Sequence, residues 1–377
     1  MLNYFKKQKV IIIINSLVVN AGVERRTLEL MIYLREKGYD AEVCILRRFI
    51  RERVEVYRAN GFVVHFIPVY YSTKRQKTRI FAKNFLKLYR FLLTQKYGVI
   101  LCTQPISHYF GRLASFPPMG RKIVAMERGG IIHKRPLGKI FLDWLCSKWT
   151  YKIVCVSTYL KDDLIKTSGI DPRNVTVIED GVPEEPVQDP QNKLRERIAG
   201  RFVFGSMGML IPTKRQSVLI KAFSIILRVY PNCVLIIVGG GEEEQKLKKL
   251  VGQLQLKDSV IFTGHQRYPH DFYPLFDVFV FPSISEGLGN VYIEAWLHFL
   301  PIICADIRPM SDYTTNNYNG LLFKADNEKD LAEKMKQLIE GKELRIRLGQ
   351  NGHEIAKKKF DANTQLKKLE TVLHIAS

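Results

Sequence analysis

The segment Ser285-Glu286-Gly287-Leu288-Gly289-Asn290-Val291-Tyr292-Ile293-Glu294-Ala295-Trp296 lies just beyond the apolar run Asp277-Val278-Phe279-Val280-Phe281-Pro282. The apolar run reads as a short buried strand stopped by proline. Gly287-Leu288-Gly289 reads as a turn, and a helix is expected to open near Asn290. Strand, glycine turn and helix N-terminus make an anion site, because unpaired backbone N–H groups point out of the first helical turn. Glu286 and Glu294 bracket that site. Were the whole interval helical, eight steps of about 1.5 Å would set them roughly 12 Å apart. That span suits the two ends of a sugar nucleotide, with Glu286 toward the sugar and Glu294 toward the ribose hydroxyls. The macrodipole alone also favours acids near a helix start. The glycine turn between the two acids, directly after a buried strand, favours the ligand reading.

Around this segment, residues 184–377 alternate strands and helices. Strands are expected at Phe202–Met207, Cys233–Val238, Val260–Phe262, Val278–Phe281 and Ile302–Ala305, with helices at Gln216–Val229, Glu242–Gln253 and Val291–Phe299. Earlier in the chain the same alternation runs through Val10–Ile14, Ala41–Leu46, Val63–Ile67, Val99–Thr103, Lys122–Met126, Ile153–Ser157 and Val175–Ile178. Helical patterns such as Arg25–Lys37 and Thr158–Ser168 lie between them, the signature of parallel βαβ units. The three prolines of 182–190 mark a linker. The expected architecture is α/β, with two Rossmann-like doubly wound domains facing across a cleft. The first spans 1–183 and the second 184–360, and a C-terminal helix at 361–377 packs back on the first. Ligands of open α/β sheets sit at the carboxyl ends of strands, where Gly22, Lys214, Gly239 and Glu286 all fall.

The chain of 377 residues is 46% apolar and 25% charged, an ordinary globular composition. Lys9-Val-Ile-Ile-Ile-Ile-Asn15 resembles a signal-peptide core but fits a first parallel strand better. Its apolar run, Val10 to Ile14, is far shorter than a membrane span. Six scattered cysteines without a Cys-x-x-Cys pair read as buried thiols in a reducing compartment, so a cytoplasmic location is expected. The net charge of +21 is lopsided: residues 1–183 hold 32 Lys and Arg against 14 Asp and Glu, a net of +18. An anionic partner of the first half follows from that excess.

Several further positions bear chemistry. Gly22, between the first strand and its helix, allows backbone to approach a phosphate or sugar, though an ordinary turn explains it too. Lys214 and Arg215 precede a helix, where the dipole disfavours cations; a diphosphate would compensate them. Gly239-Gly240-Gly241 is followed by Glu242-Glu243-Glu244, which would repel a phosphate, so a tight strand-to-helix turn is expected. No Asp-x-Asp, His-x-His or His-Glu-x-x-His pattern occurs, and no metal site can be argued. Between Lys74 and Lys96, Arg79, Lys83, Lys87 and Arg90 recur at helical spacing beside an apolar stripe of Phe81, Phe85, Leu88 and Leu92. An interfacial helix on an anionic membrane has this pattern, and so has a core helix with a solvated basic face. The charge of the whole half inclines the reading toward a membrane or an anionic acceptor.

Taken together, Glu286-Gly-Leu-Gly-Asn-Val-Tyr-Ile-Glu294-Ala, Gly208 to Lys214, Val238-Gly-Gly-Gly241, Val260-Ile-Phe-Thr-Gly264 and Asn319-Gly320-Leu-Leu resemble glycosyltransferase family 4, of GT-B architecture. The resemblance implies a retaining transfer from a nucleotide-sugar co-substrate, with no metal and no cofactor. It implies that Glu294 holds the ribose and Glu286 touches the donor sugar. It further implies that the amides of Gly287, Leu288, Gly289 and Asn290, with Lys214, neutralise the departing diphosphate. Arg215 is a candidate second cation, because Met209 stands where an arginine is usual. Glu127-Arg128 stand where a histidine commonly follows the strand, and become candidates for an acceptor or sugar pocket.

The leading expectation is thus a glycosyltransferase at the inner membrane face, acting on a lipid-linked or surface glycan in polysaccharide, lipopolysaccharide or glycolipid synthesis. A nucleotide-sugar epimerase of similar architecture would need carboxylates and histidines in the first domain, where acids are sparse. A non-catalytic basic protein binding nucleic acid or membrane would explain the pI of about 9.6, but no nucleic-acid module accompanies the charge.

Overall fold

The structure, a computed structural model, describes residues 8–17, 22–69, 77–129, 136–184, 186 and 191–374, with backbone alone for 22, 23, 77–81 and 105. The chain divides into two compact units, one of residues 1–180 with 363–377 and one of residues 181–362. Each is a parallel-sheet α/β unit.

In the first unit, β1 (Lys9–Leu17), β2 (Asp40–Phe49), β3 (Val64–Phe66), β4 (Val99–Cys102), β5 (Lys122–Glu127), β6 (Lys152–Cys155) and β7 (Val175–Val177) pair in the order β3-β2-β1-β4-β5-β6-β7. Every pairing is parallel. The unbroken apolar run of β1 follows from its central place, which buries both faces. Val10, Ile12 and Ile14 pack with Leu30, Met31 and Leu34, while Ile11 and Ile13 pack with Leu88, Leu92 and Ile100. The helix Ala362–Leu373 adds Leu369 and Leu373 to the first of these cores. Tyr33 Oη donates to Glu370 at 2.7 Å, and Lys122 Nζ donates to the carbonyl of His374.

The helix Lys77–Thr94 takes the second of the two readings left open, a core helix with an exposed basic side. Leu88 and Leu92 are fully buried and Phe85 packs against the same core, while Lys83, Lys87 and Arg90 are exposed. The described part of its apolar stripe, Phe85, Leu88 and Leu92, is therefore taken up by the protein interior. The side chains of Arg79 and Phe81, and all of Lys74 and Arg75, lie outside the described residues.

In the second unit, β8 (Phe202–Met207), β9 (Cys233–Val238), β10 (Val260–Gly264), β11 (Val278–Phe281), β12 (Ile302–Ala305) and β13 (Leu321–Phe323) pair in the order β10-β9-β8-β11-β12-β13. The order reverses between β8 and β11, so the loops leaving these two strands sit side by side at a topological switch point. At Gly205 in β8 a Cβ would come within 2.2 Å of the ring of Phe276, two residues ahead of β11. The helix Gln216–Val229 lays Val218, Leu219, Phe223 and Ile226 on one face of this sheet. β13 was not among the expected strands, and three residues are too few to show an alternating period. Among the described residues, no helix is long and apolar enough to cross a membrane.

Candidate functional site

The quoted segment folds as a strand, a buried turn and a short helix. β11 ends at Phe281, residues 286–289 are buried, and the helix runs Asn290–Leu297. Only the part from Asn290 is helical, so the fully helical spacing between Glu286 and Glu294 does not apply. Gly289 sits at φ +91°, a left-handed conformation, and a Cβ there would lie 2.8 Å from the Tyr292 ring. A side chain is thus excluded twice over, by backbone strain and by contact. Among the described residues, the N–H groups of Gly287, Leu288, Gly289 and Asn290 meet no acceptor within the chain. The buried Ser285 Oγ and Asn290 Oδ1 are likewise without hydrogen bonds. These donors and oxygens belong to residues 285–290, which lead into one helix start, where the dipole adds partial positive charge.

The neighbouring loop delivers a cation to the same place. After β8, Gly208-Met209-Leu210-Ile211 leads into a 3₁₀ turn at Pro212–Lys214. Ile284 N donates to Thr213 O at 2.9 Å and Ser283 Oγ donates to the same carbonyl at 3.3 Å, tying the two loops together. Lys214 Nζ then makes an ion pair with Glu286 Oε1 and lies 5.6 Å from the centre of the Phe281 ring. Glu286 is only 9% exposed, and Lys214 is the cation set against it.

Arg215 takes another course. Its φ of +53° reverses the chain before the helix Gln216–Val229, and its Nε lies 2.7 Å from Asp326 Oδ1. The two adjacent cations therefore part: Lys214 joins Glu286 and the glycine turn, and Arg215 joins the residues after β13. Met209 is half exposed and supplies no charge.

Glu294 lies one turn into the short helix. Tyr273 Oη lies 2.9 Å from its Oε2 and 2.9 Å from Val291 O, and the single phenol proton is shared between these two acceptors. The Tyr273 ring stacks on His298 at 4.9 Å, and burial holds the His298 imidazole below its usual value. Tyr273, from the 3₁₀ segment Pro269–Leu275, was not singled out from sequence. No local pattern connects it to Glu294, which is 21 positions away.

The triple glycine is a turn interlocked with the β8 loop. A Cβ at Gly239 would lie 2.0 Å from Gly208 O, and one at Gly241 would lie 2.4 Å from Leu210 O. Leu210 N donates to Gly240 O at 3.0 Å. Backbone packing, with no phosphate required, accounts for Gly239 and Gly241.

In the first unit, Gly22 opens the helix Gly22–Glu36 itself, while Asn20 and Ala21 lie outside the described residues. Glu127 ends β5, with Oε2 3.8 Å from Nδ1 of the buried His108. Arg128 Nη2 is 3.0 Å from Asp180 Oδ1, and both side chains are about nine-tenths buried. Glu127 and Arg128, read from sequence as a pair, are thus held by different partners. Among the described residues, no group of three His, Cys, Asp or Glu side chains could hold a metal ion.

Comparison with known proteins identifies the family. Residues 20–185 match the family model described as Glycosyltransferase Family 4, and residues 189–355 match that described as Glycosyl transferases group 1. The capsular polysaccharide biosynthesis glycosyltransferase CapM of Staphylococcus aureus is 26% identical over 355 residues, covering 90% of this chain and 91% of CapM. The UDP-Gal:alpha-D-GlcNAc-diphosphoundecaprenol alpha-1,3-galactosyltransferase of Escherichia coli is 27% identical, covering 70% of this chain and 72% of that protein. Among solved structures, Anabaena HepE in complex with UDP superposes with a TM-score of 0.80 at 20% identity, covering 97% of this chain and 99% of HepE.

Proposed function

Because the chain belongs to the family 4 glycosyltransferases of the GT-B fold, we propose that it moves a sugar, with retention of configuration, from a nucleoside diphosphate sugar to a hydroxyl of a lipid-linked or surface glycan. The observation that carries this reading is the Lys214–Glu286 pair set against the free N–H groups of Gly287–Asn290. A leaving diphosphate needs fixed positive charge where its own charge grows, and preorganised donors supply it without reorganisation. In this reading Lys214 turns from Glu286 to the diphosphate, Glu286 meets the sugar, and Tyr273 steadies Glu294 against the ribose hydroxyls. Arg215 pairs with Asp326 and would have to leave it to serve as the second cation, while Gly22 is kept as a proposed donor contact and Glu127 and Arg128 as proposed contacts for acceptor or sugar.

The step balances without a metal or a separate protein base. The bond from the anomeric carbon to the diphosphate oxygen breaks as the acceptor oxygen bonds to the same face. The acceptor proton passes to a phosphate oxygen of the leaving group. Capsule and lipopolysaccharide glycosyltransferases among the relatives support a role in surface-glycan synthesis. A membrane-bound acceptor would place the enzyme peripherally on the inner membrane face. The UDP complexes of HepE and the UDP-galactose donor of the Escherichia coli relative make uridine diphosphate sugars the first to test.

A panel of nucleotide sugars provides the test. Donor turnover that Glu294→Ala suppresses, with a product of unchanged anomeric configuration by NMR, is the expected result. An inverted product would refute retention, and absence of nucleotide binding across the panel would refute the assignment.

A further inference from the structure

The helix Leu137–Ser147 is inverted relative to an ordinary surface helix. Leu137, Phe141 and Trp144 are 84%, 57% and 41% exposed, whereas its one acid, Asp143, is 1% exposed. Asp143 is held by Arg112, itself fully buried, through Nη2–Oδ1 at 2.8 Å. Cys146 and Ser147 complete the inward face. Spacings of four, three and four residues place Leu137, Phe141, Trp144 and Lys148 on one stripe. Lys148 Nζ lies 4.7 Å over the Trp144 ring, and the Phe141 and Trp144 rings are 6.0 Å apart. Lys139 and Lys148 are exposed, so the outward side carries apolar bulk and positive charge with no acid of its own.

We propose that this stripe docks the enzyme on an anionic bilayer, with Leu137, Phe141 and Trp144 entering the headgroup boundary and Lys139 and Lys148 meeting lipid phosphates. Aromatic and cationic side chains share one face in such interfacial helices. Charge complementarity selects lipid over a second copy, since residues 1–183 carry a net +18 and two identical basic faces would repel. The Arg112–Asp143 pair anchors the far side of the helix, presenting the stripe as a fixed surface. The inference rests on the membrane-face part of the proposed function and moves the insertion site away from the helix Lys77–Thr94, whose apolar side faces the core.

The test uses full-length protein with phosphatidylglycerol-containing and pure phosphatidylcholine vesicles, read by co-sedimentation and tryptophan emission. Expected are binding to the anionic vesicles, a blue shift, and a loss of roughly tenfold or more in partition for Phe141→Ser/Trp144→Ser. Trp144→Phe should keep the binding and lose most of the shift, because Trp296 is fully buried and Trp149 is tied to Arg112 O at 2.9 Å. Unchanged circular dichroism and nucleotide binding certify that the serine variant is folded. Absence of vesicle binding by the wild type, or equal binding by the serine variant, overturns the proposal. So does a wild-type dimer that the serine variant abolishes while vesicles go unbound. None of these readouts uses sugar transfer, so the catalytic assignment stands or falls separately.

Discussion

Replacing Lys214 by alanine separates two roles that its position allows. If Lys214 only neutralises the buried Glu286, its loss is a stability defect. Opposite charges about 4 Å apart attract by about 4 kcal/mol at an effective dielectric of 20. Desolvation and the partial exposure of both side chains, 17% and 11%, reduce the net to about 1–2 kcal/mol. For a unit of this size that corresponds to a fall of roughly 2–8 °C in Tm. If Lys214 also faces the departing diphosphate, turnover should fall by about 10²–10³-fold, equivalent to about 2.7–4 kcal/mol. The assay is single-turnover release of nucleoside diphosphate, alongside calorimetry, for Lys214→Ala, Glu286→Gln and the double variant. The expected outcome is a kinetic loss larger than the stability loss, with the double variant no more active than Lys214→Ala. A Lys214→Ala enzyme within about threefold of wild type would refute the electrostatic role. Recovery of about tenfold or more on adding Glu286→Gln would show that the lysine serves only its carboxylate neighbour.

Other substitutions test the surrounding geometry. Gly289→Ala forces a side chain into the left-handed backbone and against the Tyr292 ring, and should lower stability by about 1–3 kcal/mol in urea titration. Tyr273→Phe removes the phenol donor from Glu294, and should raise the donor KM about tenfold with kcat nearly unchanged, consistent with about 1.5–3 kcal/mol for a hydrogen bond to a charged group. Arg112→Met leaves Asp143 buried without its cation, and should destabilise the first unit by about 3–5 kcal/mol by chemical denaturation. His298 titrates below its usual value of 6.5 because it is buried, so the unfolded chain binds the proton more readily. Its contribution to stability is present above about pH 6.5 and lost as pH falls through the lowered value. The urea midpoint should drop on acidification, and His298→Gln should flatten that dependence.

The parallel α/β character was legible because central strands carry an unmistakable signal. Val10–Ile14, Cys233–Val238 and Val278–Phe281 are continuous apolar runs, as burial on both sheet faces demands. Terminal and edge elements gave less. β13 is three residues long, and the helix Leu137–Ser147 buries its one acid, Asp143, and exposes Leu137, Phe141 and Trp144, against the pattern by which helices are found.

The site divides in the same way. The strand, glycine turn and helix start that carry Glu286, Gly287–Asn290 and Glu294 could be read from the chain because they are local, and the glycine at φ +91° is itself a local requirement. Pairings between distant residues could not. That Lys214 rather than Arg215 reaches Glu286 depends on the adjacency of β8 and β11 and on the reversal at Arg215. Tyr273 meets Glu294, and Asp180 meets Arg128, only after the sheets have formed. Sequence alone determined the chemical types present and the turn and helix start where backbone N–H groups are left without acceptors, since both follow from neighbours in the chain. Tertiary structure decided which charge faces which, because that is set by strand order and by the direction in which each loop leaves its strand.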